Sequence, residues 1–334
     1  MRFFREGNIL ERKDYPEGYM LLRIGHLSTF YHTSILLTAK GNIKNLPGVD
    51  VQWRLYGTGP AIVDAFKNNE IDLAYIGLPP AVIGIDKGVD IKCIAGGHIE
   101  GTVLIGLQTS KGYPETENLK DIVRQFRGYR IGVPGKGSIH DVIISEYLDR
   151  FHLGQEIEVV NFKWADQIID AMCKNQVASA AGTPALAVAL ERYCSGKILC
   201  PPAILWPNNP SYGILVTSSF LNTEREMIGE FLLLHEEATA FLRGSPLEAA
   251  KIIADYTGVA DRNFVMDVLR ISPKYCAYIT DEYISSTMEF VKVLKKLGYI
   301  NREISSDEIF DTSLIKQVHP SHDHYQDGIR IEPD

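Results

Sequence analysis

The feature that most constrains the fold is a repeated alternation of short apolar runs with segments of helical character. The first four apolar runs are LLRIGHL, VDVQWRLYG, IDLAYIG and IKCIAGG, which begin at residues 21, 49, 71 and 91. Two of the intervening segments begin with proline, which is favoured at the first position of a helix because its missing N–H would be unpaired there anyway. Strands that alternate with helices predict a mostly parallel sheet with right-handed crossovers.

A second strand–helix series follows the first. Its predicted strands lie at 102–110, 129–135, 157–162, 178–182 and 212–220. Ser138 and Thr183 directly precede two of its helices, and both are residue types that favour the N-cap position. Beyond residue 223 the patterns are those of amphipathic helices, and the polar tail after residue 311 is expected to be irregular.

The chain of 334 residues exceeds the roughly 250–300 residues at which a single core stops growing, so two lobes are expected. The fold class is therefore α/β, with a helical C-terminal segment. Lobe I is predicted from 20–105 and 217–310, and lobe II from 106–216. Residues 1–19 and 311–334 are predicted to be terminal extensions. Two crossings between the lobes would form a hinge.

Charge and hydropathy exclude two classes of partner. The net charge is −8 and there is no long basic run, so nucleic acid is not expected to be a partner. No apolar stretch approaches the roughly 20 residues that a membrane-spanning helix needs. The N-terminal sequence has no apolar block of a signal peptide. A cytoplasmic location is therefore expected, or an extracytoplasmic one if the sequence lacks its native leader.

The cysteines are odd in number and scattered, with no C-x-x-C pair. Neither a disulfide framework nor a zinc knuckle is predicted from them, and a reducing cytosol is the simpler interpretation. The five are Cys93, Cys173, Cys194, Cys200 and Cys276.

Several motifs occur in an order that resembles a known family. They are GTGPAIVDAFKNNEIDLAYIGLPPAVIGIDKGVDIKCIAGGHIEG (57–101), PGKGSIHDVI (134–143), AGTPALAV (181–188) and NPSYGILV (209–216). Their order and spacing resemble the nitrate/sulfonate/taurine substrate-binding proteins of ABC transporters, a family that includes proteins binding thiamine-pyrimidine precursors. The resemblance implies the type II periplasmic-binding-protein fold, in which two Rossmann-like lobes are joined by a two-strand hinge. It also implies a small-molecule ligand and an ABC permease as partner.

Candidate ligand-binding residues follow from where ligands bind in such folds. Open α/β sheets bind ligands at the carboxyl ends of their strands, where helix N-termini offer N–H groups and a positive dipole to an anion. The candidates at helix starts are Ser28, Thr29, Thr58, Gly59, Leu78, Pro79, Gly137, Ser138 and Thr183. The alternative is that these residues are simply good caps and turn formers.

Histidines, cations and aromatic residues extend the candidate site. His26, His32, His98 and His140 lie in or beside the same predicted loops, where a histidine can donate to an anion. For His26 and His98, which lie on apolar strands, the alternative is that they are satisfied half-buried residues. Lys136 is the candidate cation, with Lys163 nearby. Tyr212 is a candidate ligand contact, and further aromatic walls are offered by Phe30, Tyr31, Tyr75, Trp164 and Trp206.

Several other chemistries are not supported. His319, His322 and His324 with Asp323 have a spacing compatible with metal binding, but a solvated tail is the default, so no metal and no cofactor are predicted. PGKGS lacks the Walker A lysine, GTGPAI lacks the third glycine of a dinucleotide fingerprint, and there is no G-x-S-x-G elbow.

Three functions remain open. The first is a solute-binding protein that closes by hinge motion on a small anionic molecule, such as a sulfonate, a nitrate-like ion, or a carboxylate or heterocycle. The resemblance implies that it is the substrate-binding component of an ABC importer. The second is a cytosolic enzyme of the same fold acting on a pyrimidine or organosulfur compound. Such relatives use clustered cysteines or a cysteine in the first strand–helix loop, whereas that loop here reads GHLSTFYHTS. No catalytic residue is therefore assigned. The third is an intracellular ligand sensor.

Overall fold

The computed structural model describes residues 20–27, 29–41, 46, 48–320 and 323–329. Ser28 and His322, both singled out above, lie outside these residues. The first strand–helix series consists of β1 (Met20–Leu27), α1 (Thr33–Lys40), β2 (Val49–Tyr56), α2 (Gly59–Lys67), β3 (Leu73–Ile76), α3 (Leu78–Asp86) and β4 (Ile91–Ile99). All four strands of this series lie within two residues of the predicted apolar runs at both ends.

The second series and the helical remainder follow in order. The second series is β5 (Val103–Leu107), α4 (Leu119–Arg124), β6 (Arg130–Pro134), α5 (Ile139–Arg150), β7 (Glu158–Phe162), α6 (Ala165–Cys173), β8 (Ser179–Gly182), α7 (Pro184–Cys194) and β9 (Gly196–Cys200). The remainder is α8 (Pro202–Leu205), β10 (Pro210–Thr217), α9 (Ser218–Thr223), α10 (Arg225–Gly244), α11 (Pro246–Thr257), α12 (Arg262–Ile271), α13 (Asp281–Lys296), α14 (Ser306–Ile309) and α15 (Ile315–Val318). Strand β9 was not predicted.

The strands form two five-stranded sheets, with orders β2-β1-β3-β10-β4 and β7-β6-β8-β5-β9. In the first sheet, β1 runs parallel to β2 and β3, and β10 runs antiparallel to both of its neighbours. In the second sheet, β6 runs parallel to its neighbours and β5 runs antiparallel to β8 and β9. The predicted α/β class is confirmed, and both sheets are mixed, because β10 in the first and β5 in the second run antiparallel to their neighbours. We call the first sheet with α1–α3 lobe I, and the second sheet with α4–α7 lobe II.

The chain passes from the first sheet to the second between Ile99 and Val103, and it returns between Cys200 and Pro210. The two passages lie side by side, because Glu100 N donates to the Asn209 carbonyl oxygen (2.8 Å) and Asn208 N donates to a Glu100 carboxylate oxygen (3.0 Å). Both passages fall a few residues before the expected boundaries at 106 and 216. The division into lobes at those boundaries stays a prediction.

Two cysteines of lobe II form a disulfide, so the expectation of no disulfide is wrong. Cys173 ends α6 and Cys194 ends α7, and their Cα atoms are 5.1 Å apart, within the usual range for a disulfide. The two residues are separated by 21 positions in sequence, and only the packing of α6 against α7 brings them together. Cys93, Cys200 and Cys276 are buried free thiols.

The polar tail packs onto the protein more closely than its composition suggests. The side chain of Tyr325 is buried, and its hydroxyl donates to the Tyr278 carbonyl oxygen (3.1 Å). His319 is also buried, with its Nε2 3.5 Å from Cys276 Sγ. Within the described ranges, no group of three or more metal-ligating side chains comes together. No helix in the same ranges is long and apolar enough to cross a bilayer.

Candidate functional site

Six helices begin at one cavity between the two lobes. The cavity has a volume of about 660 Å³. The residues that cap the six helices all line it, three from each lobe: His32, Thr58 and Gly77 from lobe I, and Ser138, Trp164 and Thr183 from lobe II. Each helix follows a strand of its sheet, so the carboxyl ends of strands from both sheets face the same space. This is where open α/β folds place their ligands.

Three of these helix starts are closed by a hydroxyl cap. In each, the cap oxygen accepts a hydrogen bond from the N–H three residues later: Thr58 from Ala61 (3.4 Å), Ser138 from Asp141 (3.2 Å) and Thr183 from Leu186 (3.3 Å). The predicted caps Ser138 and Thr183 are therefore confirmed as caps. One N–H of each first turn is used in this way, and the earlier ones remain for other partners.

Proline removes further donors from the helix starts. Pro60 is the second residue of α2 and Pro184 is the first residue of α7. Helix α3 begins Leu78-Pro79-Pro80. Because proline has no N–H, α3 in particular offers few donors. Leu78 and Pro79 do not line the cavity, where only Gly77 and Pro80 from this turn appear.

The described lining of the cavity contains no lysine or arginine, and Asp166 is its one carboxylate. Lys136 is exposed and does not line the cavity. At the start of α5, the carboxylate of Asp141 already accepts hydrogen bonds from Gly137 N (2.7 Å) and from the Tyr299 hydroxyl (2.7 Å). The positive end of this helix dipole therefore has a carboxylate of the protein beside it. The described lining therefore offers mainly neutral polar groups.

Two of the predicted histidines face the cavity, one from each lobe, and both are neutral near pH 7. Burial lowers the pKa of His140 to about 3. Burial, followed by the neighbouring His98 and His26, lowers the pKa of His32 well below its usual value. Nδ1 of His140 lies 3.0 Å from the Thr102 hydroxyl. These side chains can bind a ligand as uncharged imidazoles.

Two residues that line the cavity each have a buried polar atom that lacks a partner among the described residues. The atoms are Nδ1 of His32 and Oγ1 of Thr29. Buried polar groups are nearly always hydrogen-bonded, and an unsatisfied one costs free energy. A ligand group that reached these two atoms would remove that cost.

His26, His98 and Tyr212 lie behind the cavity wall rather than in it. His26 packs edge-on against Trp53 at 5.5 Å, and burial lowers its pKa to about 4. His98 lies with Nε2 2.9 Å from the Ser272 carbonyl oxygen, and burial lowers its pKa to about 3. Nδ1 of each ring has no hydrogen-bond partner among the described residues, and a role for these two histidines in ligand binding stays a prediction.

Tyr212 contacts the first residue of α1 through a hydrogen bond. Its hydroxyl accepts a hydrogen bond from Thr33 N (3.3 Å). His235, which the sequence did not single out, has Nε2 2.8 Å from the Gly96 carbonyl oxygen and Nδ1 3.1 Å from the Thr33 hydroxyl. Because a carbonyl accepts only, Nε2 carries the proton, and Nδ1 accepts from Thr33. Burial lowers the pKa of His235 to about 4, which keeps this arrangement in its neutral form.

Aromatic side chains from lobe I, lobe II and helix α12 form the walls of the cavity. They are Phe30, Tyr31, Trp164, Tyr193 and Phe264. Tyr75, Trp206 and Tyr212 do not line it. Tyr193 at the end of α7 and Phe264 in α12 were not predicted, nor was Ser211. A bulky aromatic on an exposed helix end is the signal that could have indicated Tyr193, which is 70% exposed.

The structure thus brings together about half of the predicted site residues. Those that line the cavity are Thr29, His32, Thr58, Gly59, Ser138, His140 and Thr183. Those that do not are His26, Leu78, Pro79, His98, Lys136, Gly137 and Tyr212. Gly137 instead contributes its N–H to Asp141 as described above.

The two lobes touch across the cavity. A β-carbon built on Gly57 of lobe I would lie 2.5 Å from the Lys163 carbonyl oxygen of lobe II. A β-carbon on Gly135 of lobe II would lie 2.9 Å from Thr58 Cγ2 of lobe I. Such short separations require glycine at both contacts, so the structure shows the lobes closed on each other.

Comparisons with known proteins agree with this architecture. A model of the NMT1-like family matches residues 17–257. The zinc-bound ligand-binding component of an ABC-type import system from Staphylococcus aureus superposes with a TM-score of 0.75 at 17% identity, over 90% of this chain and 99% of that one.

Two further solved structures have the same fold. The alkanesulfonate-binding protein SsuA from Xanthomonas axonopodis, bound to MOPS, superposes with a TM-score of 0.72 at 16% identity, over 87% of this chain and 98% of that one. The nitrate-binding protein NrtA from Synechocystis superposes with a TM-score of 0.73 at 13% identity, over 93% of this chain and 91% of that one. At these identities the likeness shows the fold and leaves the ligand open.

Proposed function

The chain belongs to the NMT1-like family, and from this we propose that it is a solute-binding protein whose two lobes close over one small molecule. The observation that carries the proposal is the convergence of six helix starts, three from each sheet, on a single cavity. A ligand held by both lobes at once stabilises the closed arrangement, because its contacts with one lobe are lost when the cleft opens.

The size and lining of the cavity favour a particular kind of ligand. A volume of about 660 Å³ lies within the range of roughly 300–1,000 Å³ that holds drug-sized ligands, and a three-oxygen ion alone would leave most of it empty. The aromatic walls favour an apolar or aromatic body. The helix starts favour an anionic or strongly hydrogen-bonding group, and the neutral histidines add uncharged partners for it. We propose a ligand that combines an apolar or aromatic body with such a polar group.

A role in import is the further part of the proposal. The solved structures of the same fold include ABC-type import components that bind ligand, and an ABC permease is the corresponding partner for this chain. The disulfide between Cys173 and Cys194 supports an extracytoplasmic location, because disulfides persist in oxidising compartments and are rare in the cytosol. Delivery to a permease requires that the lobes open and release the ligand.

Native mass spectrometry of the purified full chain tests the proposal. The protein is prepared without denaturation, and a second sample is unfolded, dialysed, refolded and incubated with a small-molecule extract of the source cells. We expect one bound molecule per chain in at least one sample, and calorimetry with MOPS and with sodium nitrate compares two known ligands of the fold. A folded protein that holds no small molecule in either sample would contradict the proposal.

A further inference from the structure

One wall of the cavity comes from neither sheet. The turn between α11 and α12 contributes Val259 and Ala260, and α12 contributes Phe264. The ring of Phe264 packs edge-on against Phe30 of lobe I at 5.3 Å. Val259 lines the cavity and is 81% exposed, so this wall lies at the mouth of the cavity, where a ligand enters or leaves.

The helical hairpin α11–α12 bridges the two lobes at this mouth. Helix α11 packs against α1 of lobe I, and α12 packs against α7 of lobe II. Opening the cleft must therefore either separate α12 from α7 or separate the hairpin from α1. The contacts between α12 and α7 decide how firmly the mouth is held shut.

A single arginine makes the polar contacts between these two helices. Arg192 on α7 donates from Nη1 to Asp261 Oδ2 (2.8 Å) and from Nη2 to Asp267 Oδ2 (3.2 Å). Its guanidinium also lies over the ring of Phe264, 5.1 Å from the ring centroid. One side chain of lobe II thus contacts three residues of the segment that carries the cavity wall.

One of the two carboxylates also shapes the start of α12. Asp261 is the N-cap of this helix, and its Oδ1 accepts a hydrogen bond from Phe264 N (2.7 Å). The same residue therefore binds Arg192 through one oxygen and fixes the backbone of Phe264 through the other. A change at Arg192 reaches the wall residue through this carboxylate and through direct contact with the ring.

We propose that Arg192 is a positioning residue for ligand binding: it clamps α12 to lobe II in the closed state and thereby holds Phe264 in place as the wall at the mouth of the cavity. This inference rests on the proposed function, in which the cleft opens and closes. A planar guanidinium can reach two carboxylates and stack on a ring at once, whereas the ammonium of lysine is a single point charge. Lysine at this position should therefore retain only part of the clamp.

The test compares Arg192→Ala, Arg192→Lys and Asp267→Asn with the wild type, all as ligand-free full chains. Asp267→Asn removes the ion pair with Arg192, together with the pair between Asp267 and Arg270 within α12 (3.1 Å), and leaves the cap at Asp261 intact. The matched control is Arg130→Ala, which also removes an arginine–carboxylate pair of lobe II, with Glu158 at 2.8 Å, but on an exposed surface. Arg130 begins β6, and the opposite end of that strand, Pro134, lines the cavity.

Two measurements are made on each variant. Hydrogen–deuterium exchange follows the amides of α12. Double electron–electron resonance measures the distance between two spin labels, one on Lys67→Cys in lobe I and one on Asp121→Cys in lobe II. Both positions are exposed. The three free native cysteines are buried and the other two are in the disulfide, so the labels attach at the introduced sites.

For Arg192→Ala we expect exchange in α12 to rise about two- to thirtyfold, because two exposed ion pairs are lost. We also expect the distances between the labels to shift to longer values. Arg192→Lys and Asp267→Asn should fall between Arg192→Ala and the wild type, and Arg130→Ala should match the wild type.

Unchanged exchange and distances in Arg192→Ala would overturn the inference. Faster exchange with unchanged distances would also overturn it, because the arginine would then stabilise only its own helix contact. If circular dichroism shows that Arg192→Ala is unfolded, the other two variants decide the question. Exchange and label distances equal to the wild type in both Arg192→Lys and Asp267→Asn would then overturn the inference. Because no ligand is used in these measurements, a negative result would not bear on the binding function, which native mass spectrometry tests separately.

Discussion

The carbonyl oxygen of Lys163 in lobe II lies 2.5 Å from the position that a β-carbon on Gly57 of lobe I would occupy. Real β-carbons do not approach an oxygen so closely, so the closed arrangement of the lobes depends on a hydrogen at this position. The backbone of Gly57 is not in the left-handed region, and alanine is therefore compatible with an open cleft. A substitution at Gly57 should therefore disturb closure of the lobes without preventing their folding.

Gly57→Ala should weaken ligand binding by about tenfold or more while leaving the folded lobes intact. Overpacking costs roughly 1–3 kcal/mol, and each 1.4 kcal/mol is a factor of ten in affinity. Calorimetry with the molecule that co-purifies with the wild type measures the effect. Gly229→Ala, in α10 with open space around it, is the control and should bind as the wild type does. Equal affinity in Gly57→Ala would mean that binding does not need the closed contact.

Thr29→Val should stabilise the free protein and weaken ligand binding. The Thr29 hydroxyl is buried without a partner among the described residues, and an unsatisfied buried polar group costs about 1–3 kcal/mol. Valine has nearly the same shape and no such group. The melting temperature of the ligand-free variant should rise, and its affinity should fall because the ligand loses a hydrogen-bonding partner.

Thr239→Val is the control for that substitution. The Thr239 hydroxyl is also buried but donates to the Glu236 carbonyl oxygen at 2.8 Å, so its removal should lower the melting temperature. A Thr29→Val variant that is less stable than the wild type would show that the hydroxyl is satisfied in the free protein.

Stability should fall as the pH drops below about 6.5. Burial lowers the pKa of His140 and His98 to about 3 and of His26 and His235 to about 4, whereas an unfolded histidine titrates near 6.5. Between these values the unfolded chain binds protons that the folded chain does not. Each such histidine therefore removes up to about 1.4 kcal/mol of stability per pH unit in this window.

Urea unfolding between pH 8 and pH 5 measures this dependence. The free energy of unfolding should be nearly constant above pH 7 and should fall steeply from pH 6.5 downward, where histidines neutral in the folded state become charged on unfolding. A free energy of unfolding that stays level down to pH 5 would mean that these histidines already bind protons in the folded protein.

Replacing Cys173 and Cys194 together by serine should cost about 2–4 kcal/mol of stability, because the disulfide restricts the unfolded chain. Urea unfolding of the variant and of the wild type, with and without reductant, measures the loss. Reductant should destabilise the wild type and leave the double variant unchanged. Denatured, unreduced wild type should present three reactive thiols out of five cysteines, and five reactive thiols would show that the disulfide does not form.

The fold could be predicted from the sequence because its signals are local. Alternation of apolar runs with helix starts depends on neighbouring residues alone, and Ser138 and Thr183 were predicted as caps from the residues that follow them. Strand β9 was missed because GKILC follows the end of α7 after a single residue. The disulfide was missed because helix packing, and no spacing in the sequence, brings Cys173 to Cys194.

The site was harder to predict because a cavity depends on where side chains point. His26 and His98 lie on strands beside the site, yet neither lines the cavity: the ring of His26 packs on Trp53, and that of His98 packs on Tyr275 and on the wall residue Tyr31. Lys136 lies between two glycines of the correct loop but turns to solvent. Phe264 comes from a helix more than 60 residues beyond the last helix of lobe II, and only the packing of α12 against α7 brings it to the cavity.

The most direct test of the central claim is hydrogen–deuterium exchange of the full chain with and without the molecule found by mass spectrometry. We expect the molecule to protect the first turns of α1 and α2 in lobe I and of α5, α6 and α7 in lobe II together, because both lobes hold it. Protection confined to one lobe, or located away from these helix starts, would contradict the claim that the cleft closes over its ligand.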